Sequence, residues 1–193
     1  MEALSFVNGE WLNNRQHPIP NYNPYTNEEI GKQYFAQEGD VEKALESAYQ
    51  AKKEIAKIPA YKRVEILNRA ASLLTKNKDR LAKILSLELG KPIKNTLDEV
   101  VRSAETLSLS AEEAKRLIGE TIPGSASQRG TSTMAMTFRV PVGVIAAITP
   151  FNAPLNLICH KIAPAFAAGN SVILKPAPQT PLIATEFLKL LLE

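Results

Sequence analysis

Asn152 stands between two prolines in Thr149-Pro150-Phe151-Asn152-Ala153-Pro154, directly after the apolar run Val142 to Ile148. Proline fixes its own φ and restricts the residue before it, so Pro150 and Pro154 narrow the directions in which the Asn152 amide can point. A preorganised amide N–H is most useful where negative charge develops on an oxygen, as in a tetrahedral intermediate. Losing one such donor typically lowers a rate by about 10²–10³. The same residue also suits the cap of a helix starting near Leu155, because asparagine is a favoured N-cap. A second proline-stiffened segment, Lys175-Pro176-Ala177-Pro178-Gln179-Thr180-Pro181, follows a second apolar run, Ser171 to Leu174. An unpaired ammonium inside a buried strand is expensive, which places Lys175 at the strand tip. There it either donates to hydroxyl or phosphate oxygens of a nucleotide or lays its stem on apolar surface with its head in water.

Other reactive types carry less. Cys159 lies in the helical stretch "NLICHKIAPAF", and a lone helical cysteine reads as a core residue rather than a nucleophile. His160, with no visible partner, equally suits a helix surface. A single cysteine leaves no internal disulfide and no cysteine-rich metal site, so no metal is expected. Neither G-x-G-x-x-G nor the phosphate-loop lysine pattern occurs. The 23 basic and 20 acidic residues are interspersed, for a net charge of +3. That distribution marks no nucleic-acid or anionic-membrane face and makes a small molecule the expected partner. The start "MEALSFVNGEW" has no basic segment and no apolar h-region, and no apolar run approaches membrane-spanning length. A cytoplasmic protein is expected.

The elements that must position these residues come in order. Phe6-Val7, Asn8-Gly9 and Trp11-Leu12 predict a hairpin, because Asn-Gly supplies the two positive-φ positions of a type I′ turn. Asp40 is the expected N-cap of a helix that Pro59 ends. Further helices are expected over Tyr61 to Lys76, Asp79 to Leu89, and Asn95 to Ile118. From Thr121 the period becomes two, with Met134, Met136, Phe138 and Val140 on one side. Such an apolar ribbon face needs a cover, either its own domain or another subunit. Then Val142 to Ile148, Leu155 to Ala168, Ser171 to Leu174 and Pro181 onward read as strand, helix, strand, helix. Strands joined by a helix imply a parallel sheet buried on both faces, with ligands beyond its carboxyl ends, where Asn152 and Lys175 lie. The closing run "PLIATEFLKLLLE" has no stop signal, which predicts a chain continuing past Glu193.

Taken together, "VPVGVIAAITPFNAPLN" and "KIAPAFAAGNSVILKPAPQTP" resemble the aldehyde dehydrogenase superfamily, and "FVNGEW", "NPYTNEEIG", "RVEILNRAASLL", "LELGKPI" and "GETIPG" resemble its amino-terminal segments in order. The resemblance implies an α/β fold: amino-terminal helices and the start of a parallel Rossmann-type sheet, with a protruding β-hairpin. Residues 1–120 would open the cofactor-binding domain, 121–141 form an oligomerisation hairpin, and 142–193 begin the dinucleotide-binding fold. Asn152 matches the oxyanion-hole asparagine, and Lys175 matches the lysine that bonds the adenosine ribose of NAD or NADP. The backbone of Ile148, Thr149 and Phe151 falls where members contact the nicotinamide half. Pro178 stands where NAD-preferring members often carry a glutamate. Ala153, Asn156, Leu157 and His160 match the face lining the aldehyde pocket, and Lys161 a lysine near its water network. The implied reaction oxidises an aldehyde to a carboxylic acid through a thiohemiacetal and acyl-enzyme, in a homo-oligomer, dimer or tetramer. The family's cysteine nucleophile, its glutamate base and the rest of its catalytic domain have no counterpart in this chain, so the 193 residues alone are expected to be inactive. Two alternatives stay open: a CoA-acylating aldehyde dehydrogenase, and a non-catalytic nucleotide-binding or oligomerisation module.

Overall fold

The computed structural model describes residues 1–12 and 17–193. Strand β1 (Glu2–Ala3) precedes a hairpin of β2 (Ser5–Val7) and β3 (Glu10–Leu12). Its turn has positive φ at both Asn8 (52°) and Gly9 (83°), as the Asn-Gly signal requires. Phe6 and Trp11 are cross-strand partners whose ring centroids lie 5.0 Å apart. Strands β4 (Ile19–Tyr22) and β5 (Glu29–Gln33) complete a three-stranded sheet of order β1-β5-β4.

Four helices follow: α1 (Glu38–Lys57), α2 (Ala60–Lys76), α3 (Lys78–Leu89) and α4 (Ile93–Ala114). The start of α1 differs from the expectation. Gln37, not Asp40, is the N-cap, and Asp40 at the third helical position accepts from the Gln37 amide through Oδ2 at 2.8 Å, forming a capping box. Helix α3 closes on Gly90 at φ 64°, the left-handed cap that glycine adopts without Cβ strain. Helix α4 stops at Ala114 rather than Ile118. Ala111 and Ala114 are buried, whereas Leu117 and Ile118 are exposed. Without packing to hold it, the last turn relaxes into short-range bonds such as Arg116 N to Glu113 O.

The second half carries β6 (Thr121–Pro123), β7 (Met134–Met136), β8 (Val144–Ile148), α5 (Pro154–Ala167), β9 (Ser171–Lys175) and α6 (Pro181–Leu191). β8 and β9 run parallel from Val144↔Ser171 to Ile148↔Lys175. β8 starts at Val144, not Val142, because Gly143 takes φ 119°, outside the strand range. The sheet is not buried on both faces. Ala147 is buried, while Ala146 and Ile148 are exposed, so one face of this two-stranded sheet is open. α5 and α6 join α2, α3 and α4 in one core around Leu74, Leu81, Leu85, Val100, Leu107, Leu155, Ile158 and Phe187.

β6 and β7 pair antiparallel, with Ile122 opposite Ala135. The strand ends at Met136, so Phe138 and Val140 lie beyond it. Met134, Met136, Phe138 and Val140 are all exposed, which means that this chain does not cover the ribbon.

Candidate functional site

Pairing of Ile148 with Lys175 brings both proline-stiffened loops off the sheet side by side, and the Thr149 amide donates to the Lys175 carbonyl at 3.2 Å. Beyond Thr149, the loop reaches α5 through Ala153, its N-cap, and Pro154, its first helical residue. Proline there removes one amide that would lack a partner. Two others remain, and alanine offers no side-chain acceptor. They are met from a distance: Glu99 of α4 accepts from the amides of Leu155 and Asn156 through Oε1, at 3.0 and 3.4 Å. Asn152 therefore does not cap the helix. Its side chain is exposed and makes no hydrogen bond among the described residues. Its carbonyl is held by the Lys91 ammonium, which reaches across from the α3–α4 turn.

The second loop has the same construction. Lys175 is exposed at the tip of β9, with a 3.4 Å bond from Nζ to the Pro176 carbonyl and donors to spare. Pro178 is exposed, and its carbonyl accepts from Gln33 Nε2 at 3.1 Å, tying the loop to β5. α6 starts with Pro181 at its first position. The Leu182 and Ile183 amides donate to Oε1 and Oε2 of Glu88 on α3, at 2.6 and 2.9 Å. Thr149 and Thr180 each bury a hydroxyl with no partner among the described residues.

Both glutamates are nearly solvent-free, at 4 % exposure for Glu88 and 2 % for Glu99. Burial pushes the Glu88 carboxyl up to about 8, against the pull of its two backbone bonds. Glu99 is also raised, by burial first, with the Asn156 and Leu155 amides and the charges of Lys91 and Arg102 opposing. Cys159 is fully buried, and desolvation, reinforced by the Glu99 charge, drives its thiol far upward. It is a core thiol, as its sequence context indicated, and no thiolate nucleophile.

Of the expected cofactor residues, Ile148 and Phe151 are exposed, Thr149 is buried between them, and Lys175 and Pro178 are exposed on the adjoining loop. Along α5, Ala153 and Leu157 are half-buried, and His160 and Lys161 are exposed. Asn156 is turned inward: it is buried, and its Oδ1 accepts from Thr106 Oγ1 of α4 at 3.0 Å. Sequence reasoning missed Glu88, Lys91, Glu99 and Thr106. A glutamate on the apolar stripe of a helix, as in "LELG" and "LDEVV", was the available signal, since a buried carboxylate requires partners.

Residues 11–193 match the Aldehyde dehydrogenase family. The chain belongs to that family. It is 46% identical over 188 residues to 3-sulfolactaldehyde dehydrogenase of Priestia aryabhattai, spanning 97% of this chain and 39% of the relative. Lactaldehyde dehydrogenase of Methanococcus aeolicus is 41% identical, over 96% of this chain and 38% of that protein. The family fold is matched at a TM-score of 0.95 by NADP-dependent glyceraldehyde-3-phosphate dehydrogenase from Bacillus halodurans, solved with NADP. That structure is 34% identical to this chain, over 100% of this chain and 41% of the other. The chain thus spans well under half the length of these family members.

Proposed function

We propose that the chain is the amino-terminal part of an NAD(P)-dependent aldehyde dehydrogenase, supplying the oxyanion donor and one wall of the cofactor groove. The observation that carries this reading is the state of Asn152. Its amide is exposed on the loop leaving the carboxyl end of β8, whose last residue pairs with Lys175, while Glu99 accepts from the first amides of α5. As the aldehyde carbonyl becomes tetrahedral, the Asn152 amide donates to the oxygen that gains charge. Lys175 donates to the adenosine ribose hydroxyls from the tip of β9. Ile148 and Phe151 give the nicotinamide half an exposed apolar edge on either side of Thr149, which fits a flat cofactor ring. NAD or NADP, when bound, accepts the hydride of the aldehyde carbon.

Ala153, Leu157 and His160 line the aldehyde pocket along α5, with Asn156 set between that face and Thr106. The nucleophile and the general base belong to a catalytic domain outside these residues, so the 193-residue chain alone performs no oxidation. Residues 1–120 and 142–193 serve the cofactor-binding domain, and 121–141 serve oligomerisation, for which the uncovered Met134, Met136 and Phe138 are the support. The enzyme is read as homo-oligomeric and cytoplasmic, the unpaired Cys159 thiol fitting a reducing compartment. The names of the two relatives put short 2-hydroxyaldehydes first among substrates to assay.

The test is Asn152→Ala in the full-length enzyme. kcat should fall by about 10²–10³ with cofactor affinity nearly unchanged. A defect confined to cofactor binding would refute the oxyanion role.

A further inference from the structure

We propose that Glu99 is a positioning residue for Asn152: by capping α5 from α4, it keeps the Asn152 amide turned toward substrate instead of toward the helix. This rests on the oxyanion reading of Asn152 given above. The first turn of α5 is buried, with Leu155 fully enclosed, so its amides cannot turn to water for acceptors. The N-cap is Ala153, which has none to offer. The nearest side-chain acceptor in sequence is Asn152 itself, a residue type that caps helices well. With Glu99 in place, one carboxylate oxygen meets both the Leu155 and Asn156 amides.

The carboxylate sits beside the buried Val100 on the core face of α4, where a carboxyl is costly unless it is hydrogen-bonded. Capping α5 is what its presence there accomplishes. Lys91 completes the clamp on the other side by holding the Asn152 carbonyl. The backbone on both sides of the amide is thus held by Lys91 and Glu99, and the Asn152 side chain has no hydrogen-bond partner among the described residues. Take away Glu99, and two buried amides need the Asn152 side-chain oxygen as an acceptor, while the substrate needs the N–H of the same side chain. An Asn152 that rotates to satisfy them withdraws its N–H from the carbonyl.

The experiment uses the full-length enzyme with Asn152→Ala, Glu99→Ala, Glu99→Gln and the double variant Glu99→Ala/Asn152→Ala. kcat is measured at saturating cofactor and cofactor affinity separately. Glu99→Ala should lower kcat by about 2- to 30-fold, the range that loss of a helix cap spans, with cofactor affinity unchanged. Glu99→Gln should restore most of it, because a single carbonyl oxygen of the same reach serves both amides. In the Asn152→Ala background, Glu99→Ala should add little, since its effect runs through a side chain already gone. If Glu99→Ala does not fold, Glu99→Asp replaces it: an acceptor drawn back by about 1.5 Å should lose activity where Gln keeps it.

An unchanged kcat in Glu99→Ala, or in Glu99→Asp when that replaces it, overturns the inference. So does a loss in the double variant equal to the product of the two single losses. An unchanged kcat in Asn152→Ala defeats the oxyanion reading itself, and this inference with it. A loss in Asn152→Ala beside an inert Glu99 defeats the inference alone.

Discussion

Glu88→Gln separates two opposed effects on one buried carboxyl. Two amides at the start of α6 donate to Glu88, and a helix N-terminus favours an anion by up to about 2 kcal/mol. Burial at 4 % exposure opposes the charge, and it prevails, lifting the carboxyl from 4.5 to about 8. The folded-state pKa is therefore raised above the unfolded one. Its contribution to stability is fully present below pH 4.5, declines as pH rises, and is lost above about pH 8. Three and a half pKa units at 1.36 kcal/mol each amount to about 5 kcal/mol, or roughly 1.4 kcal/mol per pH unit across the window. That is comparable with the whole stability of a small domain, about 5–15 kcal/mol.

Glutamine at position 88 keeps one acceptor but turns an NH₂ toward the other amide, a loss of about 1–3 kcal/mol that does not depend on pH. Wild type should be the more stable below pH 4.5 and Glu88→Gln the more stable above pH 8, with the curves crossing at roughly pH 6. Urea unfolding of both chains across that range, followed by far-ultraviolet circular dichroism, gives the difference curve. Subtraction removes groups common to both, including Glu99, which shifts in the same direction, and Glu186, where burial raises the carboxyl but its Lys189 and Arg80 partners together lower it. A flat difference curve would refute the reasoning. A difference that rises with pH would show that the two amides and the helix terminus hold Glu88 ionised throughout.

Two further expectations concern the assembled enzyme. Pro178 leaves no carboxylate to repel a 2′-phosphate beside Lys175, so NADP should be used within about tenfold of NAD in kcat/KM, a discrimination under about 1.4 kcal/mol. Pro178→Glu should weaken NADP selectively, and a hundredfold preference for NAD in the parent enzyme would contradict this account. Charged residues in place of Met136 and Phe138 should yield smaller assemblies by sedimentation, because those apolar side chains are exposed in this chain. An unchanged sedimentation coefficient would rule out the ribbon as a subunit contact.

What could be read in advance was whatever a single segment decides for itself. Asn8-Gly9 requires a tight turn, Gly90 a left-handed helix end, and apolar spacing the core faces of α2 to α4. What could not be read depended on neighbours remote in sequence. Asp40 has the chemistry of an N-cap, and only the position of Gln37 turned it into the far half of a capping box. The period of α4 ran past Ala114 into residues with nothing to pack on. The family resemblance puts Asn156 on the pocket face of α5, and nothing local to it announces the bond its Oδ1 accepts from Thr106 of α4.

The opposite case is Glu99, which a complete accounting of backbone donors would have exposed. α5 opens with proline at its first position and alanine at its cap, so at least two buried amides need an acceptor that the local sequence can supply only through Asn152. Assigning that amide to substrate leaves those donors stranded, and stranded buried donors are rare. An acceptor must then reach in from another helix. The residues able to do so are acidic side chains on otherwise apolar stripes, and Glu88 and Glu99 are two such residues that meet this description. The same deduction applies to α6, where Thr180 sits at the cap with its hydroxyl unpaired among the described residues while Glu88 takes the amides. The two strand-to-helix loops are built alike: each enters its helix through a proline at the first position, a glutamate from the helical layer accepts from the next two amides, and Asn152 and Lys175 stand exposed on them.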